Sequence, residues 1–295
     1  MLEFYINTNC MNTIIVPTDF STTAANAAEY AMHFAVQVKA KRLLLFHAYE
    51  LPVALDPLMP GVQMLELDSY KDTAKNNIDR FKAELLAKFP GTNIQVDTKV
   101  EYGSITGGLE QIAQEVQIEL IIMGITGGGA LEETLIGSNT ISVAGAMGVP
   151  VLIIPPQARF VKVEHIMLAC DFDHADQFIP VNLIRQLIND THAKLLVFNI
   201  EVDIEESNKK YPASIMGEGF AVHTLLQEFD PEYHFTKNKE YIDGVNEFAD
   251  SHKVNMIISI PKRHTFFEKL FIRSSTKKLA FHSHLPLLVV HKSHK

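Results

Sequence analysis

The feature that most constrains this chain is a set of strand-like runs with no polar face, separated by helical segments and written twice. The runs 13–17, 43–48, 120–123 and 149–154 are built of aliphatic and β-branched residues almost without interruption. A strand that is apolar on both faces has to be covered on both, which predicts a parallel sheet with helices above and below it. The pattern then restarts. Residues 166–172 echo 14–20 at a shift of 152, and 195–198 echo 43–46 at the same shift. Farther on, 257–258 echo 121–122, Ser274 echoes Ser138, and 285–290 echo 149–154, all at a shift of 136. The chain therefore reads as an internal duplication whose second copy is shortened between Glu201 and Tyr241.

A chain of 295 residues suits two units of about 150 residues each. The fold expected is α/β, one unit over 11–156 and a second over 162–292, each a five-stranded parallel open sheet with helices on both faces. Pro155 and Pro156 open a semi-stiff linker. Within the first unit the spacing predicts helices over 22–38, 67–88, 105–116 and 138–147, with Ser21 as N-cap of the first. The stretch 51–61 holds three prolines and a glycine and reads as a long surface loop. Residues 93–100 alternate as a strand.

A net charge of −9 argues against general nucleic-acid binding, which relies on basic surface to neutralise phosphates. Cys10 and Cys170 form no CxxC pair, so no zinc knuckle or disulfide framework is expected. No basic residue precedes Met11 and no long apolar run occurs, so neither a signal peptide nor a membrane span is expected, and the location expected is cytoplasmic.

The most informative stretch follows the apolar run 120–123. Gly124, Gly127 and Gly137-Ser138 break the strand and deliver the chain to a helix N-terminus. Glycines there let backbone approach a ligand, and the unpaired N–H groups and dipole of a helix start suit phosphate oxygens. The spacing is not a Walker A loop and not G-x-G-x-x-G. Gly124, two residues, Gly127, nine residues, then Gly137-Ser138 resembles the ATP-binding signature of the universal stress protein family. With 17–21 (Pro-Thr-Asp-Phe-Ser) ending the first strand and His47-Ala48 ending the second, the first half resembles a universal stress protein domain. The second half resembles one in layout only, so the whole looks like a tandem universal stress protein with a degenerate second copy.

The resemblance implies an adenine nucleotide, ATP or AMP/ADP and with Mg2+ for a triphosphate, held by Pro17, Thr18, Asp19, Ala48, Met123, Gly124, Gly127, Gly137, Ser138 and Asn139. A carboxylate such as Asp19 suits a sugar hydroxyl or an exocyclic amine as acceptor. The family often carries a basic residue beside the second glycine. Here 127–130 are Gly-Gly-Gly-Ala, and Glu132 and Glu133 follow. At the shift of 136, Gly124, Gly127 and Gly137 become Ile260, Arg263 and Arg273, so no nucleotide is expected in the second half.

Lys262, Arg263, Lys269, Arg273, Lys277 and Lys278 read as a solvated basic face. His282, His284, His291 and His294 read as weak metal binders at most, and His33 and His47 as packing residues. The expected function is a stress-response regulator rather than an enzyme, with a homodimer and a further protein partner, and without nucleic acid. A slow ATP hydrolase and a nucleotide-free scaffold are the alternatives. The family pattern also implies that 151–154 and 287–290 pair to hold the halves together.

Overall fold

The computed structural model describes residues 11–50, 60–125, 138–169, 179–201, 220–237, 241–259 and 285–290. In chain order the first half runs β1 (Thr13–Pro17), α1 (Thr22–Gln37), β2 (Arg42–Tyr49), α2 (Pro60–Ala87), β3 (Gln95–Tyr102), α3 (Ile105–Glu115), β4 (Leu120–Gly124), α4 (Ser138–Ala146) and β5 (Val151–Ile154). The second half runs β6 (His165–Ala169), α5 (Val181–Thr191), β7 (Lys194–Glu201), α6 (Phe220–Leu226), β8 (Glu232–Lys237), α7 (Tyr241–Ser251), β9 (Met256–Ser259) and β10 (Leu287–Val289).

All ten strands join one sheet in the order β3-β2-β1-β4-β5-β10-β9-β6-β7-β8. Neighbours are parallel within each half. The halves meet where β5 pairs β10 antiparallel, with Leu288 opposite Leu152. Where two five-stranded parallel sheets were expected, the described strands form one ten-stranded mixed sheet, because the exposed edge of each last strand is satisfied by the other half's backbone.

Alternate residues of each strand feed two cores. Ile14, Val16, Leu43, Leu45, Ile122, Leu152, Leu168, Ile258 and Leu288 belong to one buried cluster. Ile15, Leu44, Ile121, Ile153, Met167, Ile257 and Leu287 belong to the other. Each cluster crosses the β5–β10 seam, so both faces of the sheet are packed continuously through the two halves. Burying one such side chain contributes about 1.5–3 kcal/mol.

The first helix, α1, begins as its sequence requires, with Ser21 Oγ accepting from the Ala24 N–H at 3.2 Å. Its alanines at 24, 27, 28, 31 and 35 are buried and let it lie close on the sheet. The second helix starts at Pro60, inside the stretch read as a loop. Proline is tolerated at the first helical position because its missing N–H would have no intrahelical partner there. In the segment between Glu201 and Tyr241, read from the sequence as a shortened copy, the described residues include the 7-residue α6, against 28 residues in α2.

The linker is fastened to α1 at both ends. Asn26 Nδ2 donates to Pro155 O and Ala158 O, and Arg159 Nη1 donates back to Asn26 Oδ1 at 2.9 Å. Farther along the helix the Gln37 amide makes a paired contact with Val163, accepting from its N–H and donating to its C=O, both at 2.9 Å. Between these points Phe160 stacks on His33 at 5.2 Å and meets Tyr30 edge-on.

Two predictions follow from these contacts. Gln37→Ala strips both hydrogen bonds from the backbone of the buried Val163 and should cost about 1–3 kcal/mol in urea unfolding. Glu119 accepts from the Thr13 N–H at 2.8 Å, and burial pushes its carboxyl above the usual 4.5 although that bond and its own N–H pull it down. The folded state therefore keeps the proton to higher pH than the unfolded chain, so this group's contribution is lost as pH rises from about 4.5 through the raised value. Glu119→Gln should flatten the fall in stability over that window, read from melting temperatures across pH.

Candidate functional site

In the first half the strand order reverses between β1 and β4, since β2 and β3 lie to one side of β1 and β5 lies beyond β4. Crossover helices leave the sheet on opposite faces at such a point, and a crevice opens beyond the carboxyl ends of the strands. A cavity of about 330 Å³ occupies this place. Pro17, Thr18 and Asp19 line it from the end of β1, His47, Ala48 and Glu50 from the end of β2, and Met123 and Gly124 from the end of β4. Gly103, Ser104 and Ile105 close it at the turn from β3 into α3, Ala24 from α1 and Asn139 from α4.

Of the residues singled out from sequence, Pro17, Thr18, Asp19, Ala48, Met123, Gly124 and Asn139 come together here. Ser138 is the first residue of α4, one position before Asn139. Gly127 and Gly137 lie outside the described residues. So do Arg263, Arg273 and the rest of the basic second-half segment, both cysteines, and His282, His284, His291 and His294. His47, read from sequence as a packing residue, also lines the cavity. Ala24, Glu50, Gly103, Ser104 and Ile105 were missed. A signal for Ser104 was available, since Gly103-Ser104 has the same glycine-then-cap form at a strand–helix junction as Gly137-Ser138.

The turn after β1 is held tightly. The Thr18 N–H donates to Phe46 O at 2.8 Å, and the Thr18 hydroxyl oxygen accepts from the Phe20 N–H at 3.0 Å. Asp19 Oδ1 accepts from the Ser21 N–H at 3.0 Å. His47 Nδ1 lies 2.8 Å from Thr18 O, and a carbonyl only accepts, so Nδ1 carries the proton and Nε2 of the neutral ring is an acceptor.

Three helices, α1, α3 and α4, present their N-terminal turns to the cavity, and their dipoles place partial positive charge there. The Ser104 hydroxyl caps α3 by accepting from the Gly107 N–H at 3.2 Å. The formal charges described at the lining are negative, Asp19 and Glu50. Between Ala48 and Glu50 in the chain, the Tyr49 phenol is pushed above its usual value by burial, then by Glu101, Asp68 and Tyr102, and stays a neutral donor at pH 7. Among the described residues no group of three or more His, Cys, Asp or Glu is placed to hold a metal ion. None of the described helices is long and apolar enough to cross a membrane.

Gly124 has a structural reason of its own. A Cβ added there would lie 2.6 Å from the Thr23 carbonyl oxygen, so only glycine lets the first turn of α1 approach the end of β4. Thr140 Oγ1 then donates to the Gly124 carbonyl at 3.2 Å, tying α4 to the same point. Gly108 plays a similar part for α3, where an added Cβ would lie 2.4 Å from Phe46 Cζ.

An open α/β sheet with a cavity at its switch point defines a broad class of ligand-binding folds. Within that class, residues 11–155 match the model of the universal stress protein family. A universal stress protein of Methanocaldococcus jannaschii is 28% identical over 155 residues, covering 48% of this chain and 93% of that relative. Among solved structures, a universal stress protein from Archaeoglobus fulgidus is similar with a TM-score of 0.67, over 96% of this chain and 99% of its own, at 14% identity. A putative universal stress protein from Pseudomonas aeruginosa has a TM-score of 0.55 over 95% of this chain and 93% of its own, at 13% identity. At these identities the likeness is one of fold.

Because Gly124 is pinned against the Thr23 carbonyl, Gly124→Ala should destabilise the ligand-free protein by about 1–3 kcal/mol, as overpacking does. Urea unfolding measures this without reference to any ligand.

Proposed function

We propose that the first half binds one adenine nucleotide in the switch-point cavity and that binding regulates a stress response. The observation that carries this reading is the cavity itself. Its size falls in the range of small-ligand sites, it joins the ends of β1, β2 and β4, and three helix N-termini suit phosphate oxygens while Asp19 and His47 Nε2 supply acceptors for a base amine or a ribose hydroxyl. The resemblance of Gly124, Gly127, Gly137 and Ser138 to the family's ATP-binding signature supports the same ligand.

The described lining offers no Lys or Arg, and Asp19 and Glu50 stand at its rim. Carboxylates repel a triphosphate unless a divalent cation intervenes, so this reading favours AMP or ADP, with ATP entering together with Mg2+. Binding is the proposed activity; turnover would further require a dedicated base to hold a water in line with the phosphate. The second half, with its mirrored strand order and with Ile260, Arg263 and Arg273 in place of glycines, is proposed as a tandem copy that serves as a structural or partner-binding unit. A cytoplasmic location and a homodimer complete the reading.

The test is to denature freshly purified protein, identify released nucleotide by chromatography and mass, and titrate the apoprotein with AMP, ADP and ATP with magnesium. About one adenine nucleotide per chain is expected, and two would overturn the assignment to the first half alone. Ala48→Leu, which narrows the cavity from the end of β2 without touching Gly124, should weaken binding at least about tenfold, roughly 1.4 kcal/mol. No retained nucleotide and no heat on titration would leave the scaffold reading.

A further inference from the structure

We infer that Phe20 is a positioning residue for nucleotide binding, acting through Asp19. The inference rests on the binding reading above and deepens it. Phe20 adopts φ +65°, in the left-handed region that bulky residues rarely occupy. Glycine or asparagine would meet that backbone geometry at lower cost. A chain that places phenylalanine there uses the ring.

The ring is wedged between two elements. It lies 4.4 Å from the His47 imidazole of β2, tilted by 43°, and 5.9 Å from Phe81 of α2, edge-on. His47 is itself fixed by its Nδ1–H to Thr18 O, and the Phe20 N–H is fixed to Thr18 Oγ1. The contacts form a closed circuit from Thr18 through His47 to the Phe20 ring and back along the backbone. Asp19 sits at its apex. One carboxylate oxygen, Oδ1, is spent on the Ser21 N–H, and the other has no hydrogen-bond partner among the described residues. The circuit therefore sets where the free oxygen of an exposed side chain stands in the cavity wall. Without the ring the turn keeps its chain path, but Asp19 is free to swing towards water. Strained backbone held by its surroundings at a ligand site is the situation in which such strain has a use.

A double-mutant cycle separates this role from simple packing. Phe20→Gly accepts the left-handed backbone and removes the ring, Asp19→Ala removes the acceptor, and affinity for AMP and ADP is measured by titration calorimetry on each variant and on the pair. Each single change should weaken binding about tenfold, and the double variant should also lose about tenfold, because the second change acts through a group already gone. Phe20→Tyr, which keeps the ring, should restore affinity. If Phe20→Gly does not fold, Phe20→Asn takes its place, since asparagine also tolerates the left-handed region. Losses that multiply to about a hundredfold, or a Phe20→Gly protein that binds as the parent does, overturn the inference. A parent protein that binds no adenine nucleotide overturns the function reading instead, so the two failures are distinguishable.

Discussion

Everything in this structure depends on strands that have no polar face. Because Ile14 and Val16 point one way and Ile15 the other, and all three are fully buried, the sheet needs cover on both sides. Covering both sides demands crossover helices, and crossovers that leave β1 in opposite directions open the crevice at its carboxyl end. The cavity is thus a by-product of burial. The cavity-facing turn at Thr18 to Ser21 hangs from β1, whose five residues are all buried, and this gives the cavity wall a rigid base.

The first helix has two jobs that its sequence reconciles. Its small residues let it sit close on the sheet, and its first turn sits so close to β4 that Gly124 has no room for a side chain. Another face carries Asn26, the buried Tyr30, His33 and Gln37, spaced so that each meets the linker. One helix of about 24 Å joins the cavity wall to the strap between the halves. Its amide contacts are local and directional, whereas the shared cores are broad and forgiving, so the strap fixes register where burial alone would not.

Much of this was legible in the residues. Period and apolarity placed all five strands and the helices of the first half, because both signals come from local geometry. The start of α2 at Pro60 was not legible, since three prolines and a glycine in one stretch outweigh the tolerance of a single proline at a helix start. Asp19, Ala48 and Met123 were singled out through the resemblance to the universal stress protein family, and the structure puts all three on the cavity wall because they end apolar runs, where the chain must leave the sheet. Glu50, Ser104 and the cavity-facing role of His47 escaped, because which residues meet across a crevice depends on strand order, and strand order is not written in any one segment. Gly124 was singled out for a ligand's sake. Its need to clear the Thr23 carbonyl is a contact between residues about a hundred positions apart, visible only once the fold is known.

The antiparallel pairing of β5 with β10 fixes the polarity of the whole sheet. Since every strand of one half runs against every strand of the other, the carboxyl ends of β1, β2 and β4 lie on one rim and those of β6, β7 and β9 on the opposite rim. The two sets of strand ends therefore stand a strand length apart on opposite edges of one sheet. The sheet is thus two-headed: the cavity lies at one rim, and the matching strand ends of the second half point to the other.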